Sequence, residues 1–471
     1  MISHPYTSPR PPGVLSRFGY LAGAFGFREL LQTAFFIYLA RTRPSTYGEV
    51  FLALSLGSIV QFVTELGLNQ HLGTLLAGRE AVSSLLRQVT LLKGALLALS
   101  WLGLVGFTLI RGYSPSLCLV IWGVGLAVGL EALASSFFVA LEIMNRQRTE
   151  GAIRCAAATG GFLFGFGALF LGLSSAVVAL FKLLEAAVNL TGSCLSAIRS
   201  VVPDRRSWDL TRVWLTWRGG LIFTVMAAVT MLYNRLNIIT LQDVAGEKVL
   251  AQYGVAWLLV DGISGLVSEL LIRGTLFPVF LVLWRQDRAA FVDRARTAAG
   301  ALLPTALLLA GALYLESDRI IALLYGAGYG PAVAVLRGLS VCIVLGFTHN
   351  LAGYLMIATG RSGRLLAFHA VGLVANLIAC HVLIPASPLA GAVAAVVVTK
   401  ALVAVSSIAS CQLGFGLFGG RSTLETAAAT ATGLLVLAVP WPGMGREAAE
   451  LIALAPLALV GWRGLRPLLA R

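Results

Sequence analysis

The sequence predicts an all-α polytopic membrane protein of about fourteen transmembrane helices, and three observations carry that expectation. The 471 residues are 58% hydrophobic and only 12% charged, with a mean hydropathy of +0.86. The apolar residues fall in long continuous stretches. Lys and Arg crowd into every second connection between those stretches. A soluble domain carries about 25% charged residues, and a water-soluble fold of this length lacks the polar surface to cover so much apolar mass. The composition therefore excludes a soluble enzyme, a disordered chain and a disulfide-stapled secreted domain. A β-barrel would alternate apolar and polar residues in segments of about ten, and these stretches do not.

A spanning helix needs about 20 apolar residues. Suitable stretches run over 18–40, 47–69, 88–110, 115–141, 152–173, 175–198, 219–241, 250–283, 298–316, 331–359, 364–385, 388–414, 422–440 and 448–467. Segment 250–283 exceeds one span, which implies tilt or extension beyond the bilayer. Residues 1–17 are Pro-rich and hold no apolar core with a cleavage site, so they read as a cytoplasmic tail rather than a signal peptide.

Lys and Arg set the orientation. With the N-terminus inside, the inner connections and tails hold 23 basic residues, among them Arg79, Arg87 and Lys93, and Arg199, Arg205, Arg206, Arg212 and Arg218. The outer connections hold six: Arg41, Arg43, Arg111, Lys248, Arg319 and Arg446. This asymmetry places both termini in the cytoplasm and the protein in the cytoplasmic (inner) membrane. The net charge of +14 is then a topology signal and not a nucleic-acid footprint. Six further cations fall inside spans: Arg28, Lys182, Arg235, Arg273, Arg337 and Lys400.

The basic inter-lobe loop 199–218 divides an N-lobe over 18–198 from a C-lobe over 219–414, and 415–471 adds two C-terminal spans and a short tail. The lobes show a repeat. Segment 47–68 reads YGEVFLALSLGSIVQFVTELGL and segment 253–274 reads YGVAWLLVDGISGLVSELLIRG. Both open on Tyr-Gly at the outer start of a second span and carry Glu-Leu near its inner end. An even number of spans separates them, so the repeat is parallel, about an axis along the membrane normal. Two pseudo-symmetric six-helix lobes of equal orientation describe a transporter with substrate bound between them near the midplane.

Several stretches resemble the polysaccharide (lipid-linked oligosaccharide) flippases of the multidrug/oligosaccharidyl-lipid/polysaccharide exporter superfamily. They are YLARTRPSTYGEVFLALSLGSIVQFVTELGL from span 1 into span 2, and YNRLNIITLQDVAGEKVLAQYGVAWLL from span 7 into span 8. IIALLYGAGYGPAV over 320–333 follows, then LAGYLMIATGRSGR and NLIACHVLIPASPLAGA within 351–392. The two additional spans and the Arg28-Glu29 pair resemble the lipid II flippase branch, although Asn69-Gln70-His71 stands where that branch has a span 2 arginine, and Asn234 where the polysaccharide flippases often have Asp. The resemblance implies a flippase that carries polyprenyl-diphosphate-linked oligosaccharide (an O-antigen or exopolysaccharide repeat unit) to the outer leaflet by alternating access. It implies no enzyme activity, no cofactor beyond ion or membrane-potential coupling with the ion unspecified, and membrane lipids and polysaccharide polymerase or assembly proteins as partners. The alternatives are a multidrug or organic-cation antiporter of the same superfamily, or a lipid II flippase.

Ionisable side chains inside a membrane are costly and face a cavity or a partner. A diphosphate cargo calls for cations, and arginine suits it because its fork bonds two oxygens at once. Arg28 lies mid-span, so substrate binding and a structural ion pair are its two readings. Arg235 lies 18 residues before Tyr253, as Arg28 lies 19 before Tyr47, which makes it the second substrate-binding candidate. Glu29, Asp261, Glu269 and Arg273 are the coupling or cavity-lining candidates. Glu269 and Arg273 stand i, i+4 in the favoured ion-pair order, and Lys182 and Glu185 stand i, i+3. Glu131, Glu65 and Lys400 are weaker candidates of the same kind. His349, His369 and His381 are of a residue type that can shuttle protons, but read first as hydrogen-bonded polar groups facing the cavity or a neighbouring helix. No metal-ligand spacing exists, the six cysteines form no C-x-x-C pair, and no Walker A motif is present.

Overall fold

The computed structural model describes residues 14–66, 68, 82–144, 146–199, 210–267, 272, 276–439 and 445–469. Those residues form fifteen helices. α1 is Val14–Thr42, α2 Pro44–Glu65, α3 Val82–Ile110, α4 Pro115–Ile143, α5 Gln147–Phe170, α6 Ser175–Ile198 and α7 Leu210–Val267. α8 is Phe277–Gln286, α9 Arg288–Leu315, α10 Ser317–Tyr325, α11 Gly330–Ala358, α12 Ser362–Ala386, α13 Pro388–Phe415, α14 Arg421–Ala438 and α15 Arg446–Leu469. Eleven are long and apolar enough to cross a membrane, and the protein is a multi-pass membrane protein. Outside that group, α1 carries the Arg28-Glu29 pair and α14 is short and threonine-rich.

Local chemistry starts several helices. Pro44, Pro115 and Pro388 sit in first turns, where the missing N–H costs nothing and φ is already helical. Ser114 caps α4 by accepting from the Leu117 N–H, and Asp287 caps α9 by accepting from the N–H groups of Ala289 and Ala290.

α7 is two helices meeting at Gly246, whose φ of 75° and ψ of 179° break the helical path. Only glycine adopts that conformation freely. A straight helix would separate Asn237 from Tyr253 by roughly 24 Å at about 1.5 Å per residue, yet the Asn237 amide donates to the Tyr253 hydroxyl. The chain therefore reverses at Gly246, and α7 is a hairpin of two spans.

Two compact units divide between Thr224 and Val225, within the first limb of α7. In the first, α4 lies at the centre and packs against α2, α3 and α6, while α5 packs on α1 and α6. In the second, α11 packs on α9 and α13, α12 packs on α13, and α14 and α15 pack on each other and on α9. The repeat read from the sequence has a local counterpart in each unit. Tyr47 is buried and stacks on Phe51 four residues on, with ring centroids 6.2 Å apart; Tyr253 is buried and stacks on Trp257, at 5.9 Å.

Of the apolar stretch 250–283, the structure describes the second limb of α7 as far as Val267 and α8 from Phe277, with Pro278 in its first turn. One expectation is corrected. Lys93, counted above with an inner connection, lies inside α3 with no exposed surface. Its ammonium donates to the Ala132 carbonyl at 2.8 Å and to Ser135 Oγ at 3.3 Å.

Candidate functional sites within the two lobes

Arg28 of α1 meets three charged side chains from α4 and α6. Its Nε donates to Glu185 Oε1 at 2.8 Å. Lys182 Nζ donates to Glu185 Oε2 at 2.8 Å and to Glu131 Oε1 at 2.9 Å. Arg28 Nη2 is 3.9 Å from Glu131 Oε1, and Nη1 is 3.8 Å from Glu29 Oε1. Glu185 is fully buried and Lys182 nearly so. Two cations thus stand between the buried Glu185, the half-buried Glu131 and the exposed Glu29, and paired in this way buried charge is tolerated.

Glycine lets this network close. At Gly161 of α5 an added Cβ would stand 2.8 Å from the Phe181 carbonyl oxygen and 3.0 Å from Glu185 Cβ. The absence of a side chain there brings α5 directly behind Glu185. Four residues on, Gly165 admits the ring of Phe35. Phe35, Phe162, Phe166 and Phe181 then form an aromatic cluster, with Phe35 at 4.6–5.5 Å from the other three. It fills the lobe between the charges and the 42–44 and 171–174 connections.

The remaining fork of Arg28 is what distinguishes it. Among the described residues only Nε of Arg28 is hydrogen-bonded, and its side chain keeps 21% of its surface. Arg446 of α15 is the contrast. It gives Nη1 and Nη2 to the two oxygens of Asp318 at 2.7 and 2.8 Å, Nη2 also to the Leu315 carbonyl, and Nε to Glu450 at 2.7 Å. Arg446 is a strap that holds the end of α15 to α9 and α10. Arg28 is oriented by one hydrogen bond, and its two amino groups stand 3.8 and 3.9 Å from the Glu29 and Glu131 carboxylates without bonding them.

The second unit holds a cavity of about 220 Å³ lined by both limbs of α7, α11 and α13. Asn234, Asp261, His349, Asn350 and Lys400 supply its polar lining. His349 Nδ1 lies 3.0 Å from Ser407 Oγ. His369 Nδ1, from α12, lies 3.2 Å from Thr230 Oγ1 and 3.4 Å from Tyr233 Oη. The two imidazoles meet edge to face at 5.1 Å. Lys400 Nζ sits 4.9 Å over the ring of Trp257, a cation–π contact.

Each sequence candidate can now be placed. Arg28 is joined to Glu185, a partner that the spacing had assigned to Lys182 alone. Glu29 is exposed and turns back toward Arg28, although neighbouring residues point about 100° apart on a helix; both side chains are long enough to converge. Arg235 is half-buried beside the field of Asp261. Asp261 lines the cavity of its lobe. Glu269 and Arg273 lie outside the described residues. Glu131 lies beside Arg28 and Lys182, Lys400 and His349 line the cavity, and His369 packs against His349. Only their polarity inside apolar helices could have marked them.

No protein-family model matches the chain, and no curated protein does. Solved structures do. "Lipid II flippase MurJ, inward closed conformation" matches with a TM-score of 0.68 and 14% identity, over 95% of this chain and 99% of that one. An inward-facing MATE-family multidrug resistance transporter of the MOP superfamily matches with a TM-score of 0.58 and 14% identity, over 83% of this chain and 94% of that one. A MATE transporter in the bent conformation follows at 0.50 and 14% identity, over 88% and 97%. The chain has the fold of MOP-superfamily transporters. The likeness to the lipid II flippase is too extensive to leave out both α14 and α15, since only 5% of this chain falls outside it.

Proposed function

We propose that this protein is a flippase for polyprenyl-diphosphate-linked oligosaccharide, moving the head group between leaflets by alternating access in the cytoplasmic membrane, with both termini cytoplasmic. The observation that carries this reading is the open fork of Arg28. A guanidinium aligned by Glu185 in mid-membrane, with Nη1 and Nη2 not hydrogen-bonded among the described residues, is preorganised to bond two oxygens of one anion. Fixing its geometry in advance lowers the ordering cost of binding. Match coverage supports the same choice: 95% of the chain for the lipid II flippase against 83% for the inward-facing MATE transporter.

Arg28 receives the diphosphate in this scheme, Arg235 provides a second cation in the C-lobe, and the polyprenyl tail remains in lipid. Glu29 and Asp261 are the coupling groups, with the driving ion or potential to be measured. The test is expression in hosts depleted of a polysaccharide flippase or of a lipid II flippase. Restoration of surface polysaccharide in the first supports the oligosaccharide cargo. Rescue of only the second reassigns the cargo to the peptidoglycan precursor, and rescue of neither, with drug export instead, overturns the flippase reading.

A further inference from the structure

The charges of the C-lobe cavity do not cancel where they stand. Lys400 makes no hydrogen bond and no salt bridge among the described residues; its contact is the ring of Trp257. Asp261 lines the same cavity but is not within salt-bridge distance of Lys400, and its field acts on Arg235. The Lys400 end therefore holds an unanswered ammonium inside a membrane-spanning helix, an arrangement that is costly without a counter-ion. The His349 ring is within electrostatic reach of that ammonium.

The histidines add a proton site. Thr230 Oγ1 spends its proton on the Met226 carbonyl at 2.9 Å, and Ser407 Oγ spends its own on the Ala404 carbonyl at 3.0 Å. Ser407 Oγ then accepts from the nearby imidazole, so His349 carries its proton on Nδ1 and Nε2 is its basic nitrogen. His369 Nδ1 faces two hydroxyls, Thr230 Oγ1 and Tyr233 Oη, and the ring keeps one basic nitrogen in either tautomer. The ionisable groups around the pair are Tyr233 from the first limb of α7, Asp261 from the second, and Lys400 from α13; α11 and α12 contribute the histidines themselves. A water needs only roughly 10–15 Å³ of such space, so a cavity of about 220 Å³ has room for a tetrahedral oxyanion.

We propose that this cavity binds a phosphate-type anion on the Lys400 ammonium, with Asn234 and Asn350 as amide donors, and that the His349–His369 pair takes up a proton as the anion enters. The anion compensates Lys400, and its negative charge favours imidazolium on the adjacent pair. The site is separate from Arg28. Only the identification of its anion with the cargo diphosphate rests on the flippase reading; a free inorganic anion satisfies the same chemistry.

Isothermal titration of the full-length protein in nanodiscs tests this with three probes: sulfate, inorganic pyrophosphate and farnesyl diphosphate. Sulfate keeps its charge between pH 6 and pH 8, so any change of affinity belongs to the protein. The expected result is saturable sulfate binding that tightens by about tenfold from pH 8 to pH 6. Lys400→Met should weaken it by about tenfold or more, while Lys400→Arg retains it. The pH dependence should disappear in the His349→Asn, His369→Asn double variant. Farnesyl diphosphate binding more tightly than pyrophosphate assigns the anion to a lipid head group, and equal binding assigns it to a free anion. No sulfate binding by wild type, equal affinity in a folded Lys400→Met protein, or binding of sodium in place of sulfate overturns the proposal. Complementation is read separately, so loss of this site and failure of the flippase assignment remain distinguishable.

Discussion

Arg28 Nε and Glu185 Oε1 are 2.8 Å apart, although 157 residues separate them in the chain. That bond fixes the orientation of the guanidinium and joins α1 to α6. It also makes Glu185 a double anchor, since its second oxygen takes Lys182. Orientation and stability of the site therefore depend on one buried carboxylate.

Glu185→Leu should destabilise the protein by about 3–5 kcal/mol, because it removes the one carboxylate that both Arg28 and Lys182 bond in the lobe interior and leaves Glu131 to serve two cations. The Arg28→Met, Lys182→Met, Glu131→Gln, Glu185→Leu quadruple variant removes the paired charges together and should recover most of that loss. Thermal unfolding in matched detergent reads the difference. A quadruple variant as unstable as the single one would show that packing, and not charge, sets the cost.

Gly161→Val tests the close approach of α5 to α6. Its side chain would collide with the Phe181 carbonyl and the Glu185 stem. Overpacking of this kind costs roughly 1–3 kcal/mol. The expected readout is a lower melting temperature together with reduced transport, because Glu185 is displaced. Gly160→Val on the adjacent open face, where nothing lies within 4 Å, should be tolerated.

Gly246→Val should destabilise the α7 hairpin by on the order of 1–3 kcal/mol, since φ of 75° is strained for any side chain. Asn substitutes better than Val at positive φ. Protease sensitivity near residue 246, compared among wild type, Asn and Val, measures this.

Acid should loosen the α15 strap. The Arg446 fork holds the Asp318 carboxyl well below the usual carboxylate range. A carboxyl with a depressed folded-state value contributes stability above its unfolded value of about 3.9, and that contribution disappears as pH falls through the folded value. Glu316 has the opposite sign: its hydrogen bond with Glu450 raises it, so its contribution is present at low pH and declines as pH rises. Melting temperature against pH should show an acid limb that Arg446→Met abolishes, with little contribution from Asp318 between pH 5 and pH 7.

The fold was legible because each span is a long apolar stretch, and every expected span coincides with a helix or a limb of one. Arg28 stood out as an isolated mid-span cation. Its partner did not, because i, i+3 spacing already gave Glu185 a local answer in Lys182 and no periodicity relates α1 to α6. The His349–His369 contact was hidden for the same reason. Each ring faces its neighbour only through the packing of α11, α12 and the first limb of α7.

The central claim is that the open fork of Arg28 receives the diphosphate of a lipid-linked glycan. The most direct measurement is complementation of a host lacking its own polysaccharide flippase by wild type, Arg28→Lys and Arg28→Ala at equal membrane levels. Losing a bidentate charged contact predicts a fall of about 10- to 100-fold in surface polysaccharide for Ala, with partial activity for Lys. Full activity of Arg28→Ala would contradict the account and leave Arg28 as a structural ion pair with Glu185.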